Sequence, residues 1–169
     1  MRVVVPIIFV VVVAFFIWWR YFSISRPKFA PLFIEPDDPL MVKAITEAKS
    51  STPLFLELAG QANRGVRVKV LFVSNSGTSE FLWAEVLSVV GSLLELRYLT
   101  PPVTHSGRLD RLHTHCITDL VDWQVELESG EYAGGYTMRV LFIRGREQWG
   151  CLPPELEAEE KKYGQTRAS

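Results

Sequence analysis

An unbroken apolar run at the N-terminus constrains this chain more than any other feature. From Val3 to Trp19 there are seventeen consecutive residues without a charge, mostly Val, Ile and Phe. At a helical rise of about 1.5 Å per residue, the run nearly matches the hydrocarbon thickness of a bilayer. Trp18, Trp19, Tyr21 and Phe22 follow where an interfacial aromatic belt would stand. Pro6 falls near the first turn, where a missing N–H costs least. The sequence therefore predicts a transmembrane anchor over residues 1–22, touching membrane lipid through residues 3–22. A cleaved signal peptide is the rival reading, and it needs a small-residue cleavage site where this chain has Trp-Trp-Arg-Tyr-Phe. Arg2 flanks one end and Arg20, Arg26 and Lys28 the other, which leans toward a cytoplasmic domain and leaves the periplasm open.

Past the anchor, Ser23–Pro36 holds Pro27, Pro31 and Pro36 and reads as an extended linker. Asp38-Pro39 is a helix start, with Leu40, Met41, Ala44, Ile45 and Ala48 at helical spacing after it. Thr52-Pro53 repeats the signal for a second short helix ending at Gly60. Beyond Gly65 the period falls to two: Val66, Val68, Val70 and Phe72 alternate with Arg67 and Lys69. Asn75-Ser76-Gly77 turns the chain into a returning strand from Glu80 to Leu87. Leu93–Leu99, Leu109–Ile117 and Trp123–Leu127 complete a set of four to five strands. For Tyr136–Ile143 the β-branched content suggests strand, while Thr137 and an apolar stripe lean to helix. From residue 151 the chain is a Glu/Lys-rich tail, helical and solvated or disordered. The expected fold class is α+β: an anchor and linker, then a domain over residues 37–150 with a strongly curved antiparallel sheet and one or two helices.

Charge and cysteine content exclude several classes. Eighteen Lys and Arg against nineteen Asp and Glu leave a net charge of −1, without the footprint of a nucleic-acid binder. Cys116 and Cys151 have no metal or redox spacing; they could pair only in an oxidising compartment. No glycine-rich loop has the spacing of a phosphate cradle, and no cofactor is expected. His113-Thr-His115-Cys116 is the one cluster suggestive of a metal, with His105 the only further histidine. Strand alternation predicts Leu112, Thr114 and Cys116 inward and both imidazoles outward beside Arg111, so no metal is assigned. Glu80 and Asp122 stand beside Trp83 and Trp123, and buried carboxylates near indoles need hydrogen-bond partners; Arg139 is a candidate. Both tryptophans are expected in one core.

Val121-Asp122-Trp123, followed by Gly134-Gly135-Tyr136-Thr137-Met138-Arg139-Val140-Leu141, resembles the closing motif of the YegJ-like bacterial family, domain of unknown function 2314. Asp37-Asp38-Pro39 with Met41 and Ala44 resembles its opening helix, and Val68-Lys69-Val70 with Glu80-Phe81-Leu82-Trp83 its first hairpin. Pro101-Pro102 stands where that family carries a proline after its third strand, so the likeness covers roughly residues 37–145. Phe81 departs from it, since a polar residue, often His, is expected there. The resemblance implies a compact α+β domain without an established activity; the N-terminal anchor is a second departure from the family core, and it is the anchor that points to a bacterial inner membrane. Two functional readings follow. One is a membrane-anchored, non-catalytic module that binds a protein partner, with Glu80, Trp83, Asp122, Trp123, Tyr136 and Arg139 as candidate binding residues. The other is a hydrolase or metal-dependent enzyme using Glu80, Asp122 and the histidines.

Overall fold

The computed structural model describes residues 29–35, 37–62, 65–110 and 112–164. The chain divides between Pro31 and Leu32, and the fold below is that of the second unit. It opens with two short helices, α1 (Pro39–Ser50) and α2 (Thr52–Gln61). Asp38 caps α1: its Oδ1 accepts from the Leu40 N–H at 2.8 Å and the Met41 N–H at 3.3 Å. Pro at the first turn of each helix replaces an N–H that has no partner there anyway.

Six strands follow: β1 (Val66–Val73), β2 (Ser79–Val90), β3 (Leu93–Tyr98), β4 (Leu112–Cys116), β5 (Leu120–Glu126) and β6 (Tyr132–Gly134). They form one sheet in the order β4-β3-β2-β1-β5-β6, antiparallel at every pairing. Two further helices, α3 (Tyr136–Trp149) and α4 (Pro154–Glu160), come after β6. Two register shifts bend the ladder, at Lys69/Val70 where β1 meets β5 and at Val86/Ser88 where β2 meets β3.

Because side chains alternate along a strand, register assigns each residue to a face. Val68, Val70, Leu82, Ala84, Leu94, Leu96, Leu120 and Trp123 share the inner face, packed with Ala48 and Phe55 from α1 and α2 in one core. A second, smaller cluster joins Tyr132, Phe142, Leu152 and Tyr163 beyond the β5–β6 side. The segment read as a charged tail thus returns two aromatic or aliphatic anchors, Leu152 and Tyr163, to the folded body.

The expected fold class needs correction. Among the described residues the architecture is α+β with six strands in an open antiparallel sheet and four α-helices, where the sequence predicts four or five strands and one or two helices. Among the described residues no helix is long and apolar enough to cross a membrane, and the anticipated anchor at residues 3–22 lies outside them. The sixth strand escaped because Tyr132–Gly134 is three residues long, too short to show a period. Strand β5 begins earlier than anticipated because Val121 sits at the bulge, so Leu120, Val121, Asp122 and Trp123 are buried in succession without alternation. Residues 136–143 are helical, within an α3 that runs to Trp149.

Candidate functional site: the outer face of the sheet

Helices α1 and α2 pack against the inner face, whereas among the described residues no helix packs on the outer face of β1–β3. Register places Lys69 beside Trp83 and Leu71 beside Phe81, with Val73 at the end of β1. Leu99, whose N–H donates to the Trp83 carbonyl at 3.0 Å, extends the same face beyond β3. Leu71, Val73, Phe81 and Leu99 are 42%, 59%, 46% and 43% exposed, which makes a contiguous apolar surface on otherwise charged strands. Lys69 sits at its border, between Trp83 on β2 and Asp122 on β5. Its Nζ lies 5.7 Å from the Phe81 ring centre and 6.0 Å from that of Trp83. It donates to Thr137 Oγ1 at 3.4 Å. Burial holds the Lys69 ammonium below its ordinary value, with the Asp122 charge opposing.

Asp122 lies opposite Lys69 across the β1–β5 ladder, fully buried, and its role is architectural. Helix α3 starts at Gly135, in the left-handed region at φ +69°, a residue with no side chain to cap the first turn. Asp122 supplies the cap from the neighbouring strand. Its Oδ1 accepts from Tyr136 N–H at 3.1 Å and Trp123 N–H at 2.8 Å; Oδ2 accepts from Thr137 N–H at 2.7 Å and the Thr137 hydroxyl at 2.6 Å. Burial pushes the Asp122 carboxyl up from its ordinary value, and these four donors pull it back. Gly134 is required beside it: a Cβ there would stand 2.2 Å from the Trp123 carbonyl oxygen. Trp123 is likewise a structural residue, donating Nε1–H to Ser51 Oγ at 3.0 Å and to the Ala48 carbonyl at 3.2 Å.

The six candidate binding residues therefore do not form one pocket. Trp83 faces outward beside Lys69, half-buried, on the side opposite Trp123, which corrects the expectation of a shared core. Tyr136 packs edge-on against the Trp123 ring at 6.0 Å. Arg139 does not meet either carboxylate: it donates to the Gly164 carbonyl at 2.9 Å and the Gly134 carbonyl at 3.4 Å, with Tyr163 under its guanidinium. Glu80 is also a clamp. It accepts from Val103 N–H, Thr104 N–H and the Thr104 hydroxyl at 3.2, 3.1 and 2.7 Å, fixing the loop between β3 and β4. Those bonds, the Thr104 hydroxyl first, hold its carboxyl below the ordinary range.

The histidine strand runs the other way round from the alternation expected. His113 stacks on Tyr98 at 4.5 Å, and His115 Nε2 stands 2.8 Å from the Tyr98 hydroxyl, while Leu112 is 63% exposed. Pairing of β4 with β3 puts Leu96 opposite His113 and Leu94 opposite His115, so the imidazoles share the inner face with those buried leucines. At this end of the core, Tyr98 takes the polar partners that aromatic side chains accept. Burial pushes the Tyr98 hydroxyl up to about 12. His105 reaches the same cluster through Phe72, at 5.9 Å. Among the described residues no group of three or more His, Cys, Asp or Glu is placed to hold a metal.

Lys69, Leu71, Phe81 and Thr137 are the residues that sequence reasoning passes over. Period-two alternation marks Lys69 as solvent-facing, and only the register with Asp122 shows that it is half-buried. Phe81 does carry a signal, as an aromatic on the exposed side of an alternating strand. Comparison with protein-family models, with curated proteins and with solved structures finds no match.

Proposed function

We propose that this chain is a non-catalytic protein-binding module that engages its partner through the outer face of β1–β3. The observation that carries the reading is the apolar surface of Leu71, Val73, Phe81, Trp83 and Leu99, uncovered among the described residues while α1 and α2 pack against the opposite face. Surfaces of this kind on a folded domain mark interaction sites. The enzyme reading draws no support from the placement of its residues: Asp122 is consumed in capping α3, Glu80 in clamping a loop, and His115 in its bond to Tyr98. The YegJ-like pattern adds no partner, because its Asp-Trp and Gly-Gly-Tyr-Thr residues are occupied in joining α3 to β5. Attachment to a bacterial inner membrane through residues 3–22, with the domain on the cytoplasmic side, belongs to the proposal on sequence grounds alone; carbonate extraction of the full chain tests it.

Crosslinking of the full chain in the cells that make it, followed by purification, tests the binding reading. Phe81→Asp is expected to remove the specific crosslinked species while leaving the circular dichroism spectrum unchanged. Retention of the same species by a Leu71→Asp, Phe81→Asp double variant would place the partner elsewhere.

A further inference from the structure

Lys69 is the charged group at the β5-side border of this face, and its bonding is incomplete. An ammonium has three hydrogens to donate. Thr137 Oγ1, at 3.4 Å, accepts one of them weakly, and two aromatic rings lie on the other side. The carboxylate across the ladder, Asp122, already accepts four hydrogen bonds from β5 and α3. Among the described residues Lys69 forms no ion pair. A half-buried cation with spare donors, bordered by Leu71, Phe81 and Trp83 on the side away from β5, is complementary to an anion carried on an apolar surface.

We propose, building on the reading of this face as a protein-binding surface, that its occupant is an amphipathic helix of a partner protein whose apolar stripe carries one carboxylate seated against Lys69. Shape supports a helix. Three adjacent strands span about 10 Å across the sheet, close to the diameter of about 10 Å of one helix with its side chains. Helices already cover the inner face, so a helix on the outer face completes a three-layer arrangement. Leu71 and Phe81 contact the apolar stripe further along β1 and β2, and Trp83 and Leu99 contact it across β2 towards β3, with Lys69 at the border that faces β5. The carboxylate takes the donors that Thr137 leaves free.

The test uses the full chain and two fluorescently labelled amphipathic model helices, alike except that the apolar stripe carries Glu in one and Gln in the other. Anisotropy titration is expected to show the Glu helix binding about tenfold tighter, equal to about 1.4 kcal/mol. Lys69→Met should abolish that preference and leave the Gln helix affinity unaltered; Phe81→Asp should abolish both, with Phe81→Ala as the second variant if the first unfolds. Equal affinities that still depend on Phe81 would overturn the carboxylate pairing and leave the binding face standing. No binding of either helix, or binding indifferent to Phe81, would overturn the face as well. Phosphatidylcholine vesicles bound through Phe81 in preference to both helices would assign the surface to lipid and end the proposal.

Discussion

The two faces of the six-stranded sheet obey different rules. On the inner face β1, β2, β3 and β5 contribute aliphatic or aromatic side chains to one core, and Ala48 of α1 and Phe55 of α2 pack into it. Polar groups that enter the buried parts of the fold are bonded: among the described residues no buried side-chain nitrogen or oxygen lacks a partner. On the outer face the same strands leave Leu71, Val73, Phe81 and Leu99 in solvent, beside a lysine with one weak acceptor. The difference separates residues that hold the fold from residues free to do something else. It also explains why the Asp-Trp and Gly-Gly-Tyr-Thr segments, the most distinctive in the chain, do not make a site.

If that division is right, substitutions should sort by face. Trp123→Ala, at the centre of the inner face, is expected to cost about 3–5 kcal/mol through the cavity it leaves and the two Nε1–H acceptors it abandons. Chemical denaturation measures this, and an unchanged midpoint would break the assignment of the core. Asp122→Ala comes next, at about 2–4 kcal/mol, because three backbone N–H groups and the Thr137 hydroxyl lose their acceptor in a buried place. Amide hydrogen exchange should localise that loss to the first turn of α3.

A pH series sharpens the comparison at the histidine end of the inner face. Burial holds His115 below its ordinary value of 6.5; Asp119 opposes that and His113 adds to it. As pH falls below 6.5, the unfolded chain takes up this proton before the folded one does, so stability is highest above that value and declines below it. The melting temperature should therefore drop between about pH 7 and pH 5, and His115→Gln should flatten part of the drop. The smallest effect belongs to the outer face. Phe81→Ala should change stability by no more than about 0.5 kcal/mol, as expected for an exposed side chain outside the core.

Much of the fold is legible in the sequence, and specific residues show why the rest is not. Asp38-Pro39 and Thr52-Pro53 announce α1 and α2 because capping and proline preference act locally. Alternation from Val66 to Phe72 announces β1 for the same reason. The candidate site depends on register, which is not local. Pairing with β1 sets Asp122 against Lys69 and Trp123 against Val68 on the other face, so neighbouring residues in the motif serve different layers. For His113 and His115, local alternation favours Leu112, Thr114 and Cys116 as the inward set; pairing of β4 to β3 decides otherwise, giving the imidazoles Tyr98 as a partner. A charged tail offers no local signal for Tyr163, yet its hydroxyl donates to Gln124 at 2.8 Å in the folded body.

Oxidative footprinting of the full chain tests the central claim most directly, because it works whatever the identity of the partner. Hydroxyl-radical labelling of Leu71, Phe81 and Trp83 is compared between purified protein and protein inside the cells that make it, with Val42 and Leu54, 49% and 46% exposed on the helices that pack against the opposite face, as controls. If the outer face is where the partner docks, labelling of Leu71, Phe81 and Trp83 falls in cells while Val42 and Leu54 stay unchanged. Equal labelling of all five residues in both settings would contradict the account.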